Sequence, residues 1–232
     1  MRPEVLKAAL RGWTNRDEEL GRKKRLRQPI TILHLQMMKI LLKMNEPGWS
    51  LYKRRLVFTV AVICFWGALR MGEALCKSAR KYDSDNDLLL QDVKLKKTMV
   101  NGKDVEYLTV RLKSTKVCRK LEKGLSVEIY RVDGPLCPVT AWKRYRALTR
   151  EDDGELPAFR TEEGLSYSHT NMNKDLKTVF DKRIEYGAVS GHSFRIGLAS
   201  LLAECGYDDG GEIKKTMANS RQKITLPFPF LR

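Results

Sequence analysis

Residues Val57–Leu69 read VFTVAVICFWGAL, an apolar run of 13 residues that includes a single hydroxyl residue, Thr59. A bilayer-spanning helix needs about 20 apolar residues, so this run is too short to cross a membrane. A helix that is apolar on every side has to be covered on every side, which makes it the central element of a core. The chain is long enough to supply that cover: 232 residues, of which 42% are hydrophobic. That size suits one ordinary domain, or one domain plus a fragment of another.

The elements around the run follow from periodicity. Val5, Leu6, Ala9, Leu10 and Trp13 share one side of a helix over residues 1–20. Pro29 and Thr31 start a second helix, with Leu33, Met37, Ile40, Leu41 and Met44 at helical spacing, and Asn45–Gly48 stops it. The third runs from about Leu51 through the apolar segment to Gly67. The period changes to two near residue 88. Leu88–Leu95, Tyr107–Leu112 and Leu125–Val132 read as strands, with Asn101-Gly102 as the hairpin turn between the first two. Helices resume after Gly134-Pro135, with Pro138 at a first helical position. Pro157–Arg160 reads as a short strand, and Ser168 or Thr170 as the cap of a helix through Phe180. A last helix covers His192–Glu204, closed by Gly206. The fold class is α+β, mainly helical, with a small three-stranded antiparallel sheet.

Charge narrows the partner. Forty-four Lys and Arg against 28 Asp and Glu leave +16, which calls for a polyanion: nucleic acid first, an anionic membrane surface second. Arg22, Lys23, Lys24 and Arg25 open a basic stretch, RKKRLR, that suits a solvated linker, a phosphate-facing arm or a nuclear localisation signal. Five cysteines without C-x-x-C spacing, and only three histidines, argue against a zinc site or a disulfide framework and for reduced, mostly buried thiols.

Three groups could carry chemistry. Arg70 closes the apolar helix in Gly67-Ala68-Leu69-Arg70-Met71-Gly72-Glu73. A guanidinium emerging from a core helix needs an anionic partner, either Glu73 three residues on or a phosphate held in a bidentate fork. His192 and Arg195, at i and i+3, share a helix face just after the Ser190-Gly191 turn. An imidazole beside a guanidinium suits acid–base work next to a phosphate. Lys113, Lys116, Arg119 and Lys120 crowd the turn after the second strand, where one Lys could protonate a leaving oxygen.

The order G-A-L-R-M-G-E, a hairpin with a T-K element, then S-G-H-S-F-R-I-G, resembles the catalytic domain of the tyrosine recombinases, the phage-integrase-type enzymes. Cys137-Pro138-Val139 before a helix is similar to that family too, and the flavour is closest to recombinases of eukaryotic mobile elements. The resemblance covers roughly residues 28–215 and implies the DNA breaking-rejoining enzyme fold. It makes residues 1–27 a remnant of an N-terminal core-binding domain with its basic linker, and residues 216–232 a divergent or truncated tail. It implies attack by a tyrosine on a DNA phosphodiester, with no cofactor. Arg70 and Arg195 then clamp the non-bridging oxygens. Lys116, with Lys113 in reserve, protonates the leaving 5′-oxygen; His192 assists, and Glu73 supports the site around Arg70. Lys113, Arg119, Lys120 and the arm Arg22–Arg25 contact the DNA. The partner is double-stranded DNA, not a membrane. In a eukaryotic host the place is the nucleus, otherwise the cytoplasm.

The chain departs from the family pattern after Arg195. No His or Trp follows, and the last tyrosine, Tyr207, comes too early to be the nucleophile. Two prolines in Pro227-Phe228-Pro229 oppose a nucleophile-bearing helix at the end. Covalent chemistry, and assembly on DNA of the family type, are therefore expected to be impaired. The alternative reading is a non-catalytic DNA-binding module, domesticated or degenerate.

Overall fold

The computed structural model describes residues 28–100, 102–113, 124–149, 153–180 and 191–205, and the backbone of 223–225. The expected helix over 1–20, the basic stretch 22–27, Lys116, Arg119, Lys120, Gly206 and Tyr207 lie outside these residues.

The apolar run is the middle of the fold. Helix α1 spans Ile32–Met44 and α2 spans Leu51–Trp66. Thr31 caps α1 and Ser50 caps α2, its hydroxyl accepting from the Lys53 N–H at 3.2 Å. From Leu56 to Trp66 every side chain of α2 except Phe58 is buried. Each large apolar side chain so covered contributes about 1.5–3 kcal/mol. Thr59, the polar residue in the run, donates its hydroxyl to the Ala141 carbonyl at 3.1 Å, and Trp66 Nε1 donates to the Leu136 carbonyl at 3.0 Å. These two bonds fasten α2 to α4 (Pro138–Arg146) and to the loop before it. The short α3 (Met71–Ala74), α5 (His169–Phe180, with Ser168 Oγ accepting from the Asn171 N–H) and α6 (Ser193–Glu204) complete the helical part.

The antiparallel sheet is β1 (Val93–Val100), β2 (Lys103–Leu112) and β3 (Leu125–Tyr130), in that order. Val100 pairs with Lys103, so the hairpin turns where Asn101-Gly102 was expected to turn it, with Gly102 at φ 75°. Leu108, Val110, Val127 and Ile129 form the buried face. A fourth strand, β4 (Lys223–Thr225), pairs parallel to β3 and lies in the segment assigned to the tail.

Two expectations shift. Leu88–Asp92 is not strand. Leu90–Asp92 form a 3-10 turn, and the backbone of Leu88 and Leu90 bonds to 156–158 instead. Asp92 causes the break, because its carboxylate accepts the Leu89 N–H at 3.0 Å and closes the turn on itself. Pro157–Arg160 makes isolated bridges, Leu89 with Pro157 and Arg160 with Ser166, rather than a strand.

Candidate functional site

Two chain segments meet at the C-terminal end of α2. The helix ends at Trp66, and Ala68 at φ 49° turns the chain so that Arg70 leaves the core. The Met71 N–H donates to the Gly191 carbonyl at 3.0 Å, joining this segment to the start of α6. The Ile30 N–H donates to the Ser193 carbonyl at 3.0 Å, so the strand-like entry to α1 braces α6 from another side. Gly197 makes this approach feasible, since a Cβ there would lie 1.8 Å from the Ile30 carbonyl oxygen.

The result brings Arg70, Glu73 and Arg195 together. Glu73 Oε1 accepts from Arg70 Nη1 at 2.9 Å, and Oε2 accepts from Arg195 Nη2 at 2.8 Å. The Arg70 backbone N–H also donates to Oε2, at 2.9 Å. Arg195 Nε donates to the Ala68 carbonyl at 2.6 Å. The carboxylate is 7% exposed, the guanidiniums 23% and 34%. Two cations against one carboxylate leave the cluster at +1. Burial, and then the Arg70 charge, pull the Arg195 guanidinium below its ordinary value, while Glu73 opposes them. Arg70 Nε is buried and has no hydrogen-bond partner among the described residues. Such a half-buried cationic cluster, with donors on both guanidiniums left without a partner among the described residues, has the chemistry to accept an anion with several oxygens.

The sequence offered Glu73 or a phosphate as the partner of Arg70; in the structure Glu73 holds both arginines at once. His192 sits at the N-cap position of α6, three residues before Arg195. Lys113 has partners of its own: its Nζ is 2.8 Å from Asp92 Oδ2 and donates to the Ser84 carbonyl at 2.8 Å. Sequence reasoning missed Asp92 and the Ala68 carbonyl. Asp92 lies far from Lys113 along the chain, and an Ala gives no sign of a left-handed turn. Among the described residues no cluster of His, Cys, Asp or Glu could hold a metal ion. Cys64, Cys76 and Cys137 are buried free thiols and Cys205 is an exposed one; burial pushes the Cys76 thiol up to about 12.

A mainly helical chain wrapped on one core helix, with a small antiparallel sheet, has the fold of the tyrosine recombinase catalytic domain. Among solved structures it is similar to a Flpe mutant–DNA Holliday junction complex (TM-score 0.50, 12% identity, 98% of this chain and 54% of that one). It is also similar to a Flpe–Holliday junction complex (TM-score 0.50, 12% identity, 82% of this chain and 46% of that one). The XerH site-specific recombinase bound to its difH substrate also matches (TM-score 0.49, 17% identity, 78% and 45%). The chain thus spans about half the length of the structures it matches. No protein-family model and no curated protein matches its sequence.

Proposed function

We propose that this chain binds duplex DNA and takes part in site-specific recombination or integration, with Arg70 and Arg195 gripping one phosphodiester. The observation that carries this reading is the convergence of two arginines, 125 residues apart in the chain, on the single buried carboxylate of Glu73. Glu73 holds the two forks in register and leaves a net positive charge for the non-bridging oxygens. In this reading His192, at the mouth of α6, assists proton transfer. Lys116 is the general acid for the leaving oxygen. The engagement of Lys113 by Asp92 and the Ser84 carbonyl favours Lys116 over it, because a Lys already donating to a carboxylate is a poor donor to substrate.

A specific observation favours a second reading for the 232 residues taken alone. They contain no Tyr after Tyr207 and no His or Trp after Arg195, so this stretch acts as a DNA-binding module that does not cleave. One titration of labelled duplex across salt tests the first reading. Arg70→Ala and Arg195→Ala are each expected to weaken binding and to flatten the salt slope by about one unit. Unchanged affinity in both, or tighter binding of structured RNA than of duplex DNA, counts against it. A nicked suicide duplex tests the second: a covalent adduct that disappears in a Tyr-to-Phe variant overturns it.

A further inference from the structure

A second basic feature lies at the other end of α2. Lys39 and Lys43 of α1, Arg54 and Arg55 of α2, and Arg144 of α4 line a cavity of about 430 Å³, and none of the described residues that line it is acidic. Arg70 follows the last residue of α2, whereas Arg54 and Arg55 sit on its first turns. At 1.5 Å rise per residue the two sites are on the order of 20 Å apart.

Two of these five cations are held by neutral groups. Lys39 Nζ donates to the Pro135 carbonyl and lies 4.9 Å over the Phe58 ring. Arg54 Nη1 donates to the Leu42 carbonyl at 3.0 Å, and its Nε is buried without a partner among the described residues. Burial first, then Arg144, Arg55 and Lys43, hold the Lys39 ammonium below its ordinary value, so these charges repel one another at close range. Positioned, mutually repelling cations with no acidic residue among the described lining residues are complementary to an anionic occupant.

The walls decide which anion. The cavity has the volume of a side-chain or small-ligand pocket, and Phe58 and Leu51 border it. Leu51 is 48% exposed, and Ile40 and Met44 of α1 are more so. A duplex presents phosphates on a convex ridge and has nothing apolar there to cover these side chains. A peptide can bring carboxylates and an apolar anchor together. We infer that this groove docks a carboxylate-rich peptide segment of a partner protein, with one apolar side chain seated over Phe58 and Leu51. The inference does not depend on the phosphate site.

The probe is a short labelled peptide of Glu and Asp carrying one Phe and one Leu, titrated by fluorescence anisotropy into the 232-residue chain. Lys43 and Arg144 are exposed, so Lys43→Glu/Arg144→Glu tests charge without disturbing the core; Arg55→Glu is the second variant. Each is expected to weaken peptide binding by about tenfold or more while duplex affinity changes by less than about twofold. Arg70→Ala/Arg195→Ala is expected to do the reverse, and a Gln-for-Glu, Asn-for-Asp peptide to bind no variant. Three results overturn the inference: no saturable binding of the acidic peptide to the wild-type chain, equal binding by the groove variants, or loss of duplex rather than peptide in them. The last assigns the groove to nucleic acid.

Discussion

Glu73→Ala isolates the physics of the arginine pair. The substitution removes the acceptor of three hydrogen bonds, from Arg70 Nη1, the Arg70 backbone N–H and Arg195 Nη2. The cluster goes from +1 to +2. Removing one partner of a fully buried ion pair costs about 3–5 kcal/mol. Here the carboxylate is 7% exposed, but the guanidiniums are 23% and 34% exposed, so water reaches them and the cost falls to about 2–3 kcal/mol. Glu73→Gln keeps an acceptor and loses the charge, and lies between wild type and Ala. In urea, with a slope of about 2–3 kcal/mol per molar, the Ala midpoint drops by about 1 M. The same variant is a better anion trap than the wild type. Inorganic phosphate at about ten times its dissociation constant restores about 1.4 kcal/mol by mass action, and moves the wild-type midpoint less. A loss below about 0.5 kcal/mol, or equal phosphate shifts in both proteins, refutes the idea that Glu73 neutralises two mutually repelling arginines.

Three further outcomes are expected. Gly197→Ala, whose Cβ would stand 1.8 Å from the Ile30 carbonyl oxygen, lowers stability by about 3 kcal/mol or more, while Gly72→Ala, with nothing within 4 Å, stays within about 1 kcal/mol of wild type; thermal melts of the pair check this, and equal melting points refute the close approach. Lys113→Ala leaves the buried Asp92 carboxylate without its ion pair and costs about 1–3 kcal/mol in urea unfolding, with little change in duplex affinity; a DNA defect without a stability defect reverses that assignment. Tyr167, buried and donating to Asp175 Oδ2 at 2.6 Å, has its phenol pushed well above 10 by burial and then by that carboxylate. A raised folded-state value for an acid favours the neutral form, so this contribution is complete below the unfolded value near 10 and is lost as pH rises past it. Absorbance at 295 nm is expected to show Tyr167 ionising only with alkaline unfolding, and titration of all eight tyrosines near pH 10 in the folded chain contradicts it.

What the sequence made legible was whatever local pattern dictates. The apolar run could only be a covered helix, and α2 is that helix. Pro138, Ser168 and Asn101-Gly102 act within a few residues of themselves, so α4, α5 and the hairpin appear where periodicity and turn chemistry put them. Leu88–Asp92 misled because alternation records which side chains are covered, not which backbone covers them; a single carboxylate, Asp92, diverts those amides into a turn. The site divides along the same line. Arg70 and Glu73 are an i, i+3 pair and could be read directly, but their union with Arg195 depends on a left-handed Ala68, on Gly197 letting α6 touch Ile30, and on the Met71–Gly191 bond. None of these leaves a mark in periodicity or composition. A resemblance to a family anticipated the pairing of Arg70 with Arg195; only the geometry supplies its cause. One carboxylate shared by two cations makes each arginine's position depend on the other's, so the fold holds one positive charge in excess at the end of α2.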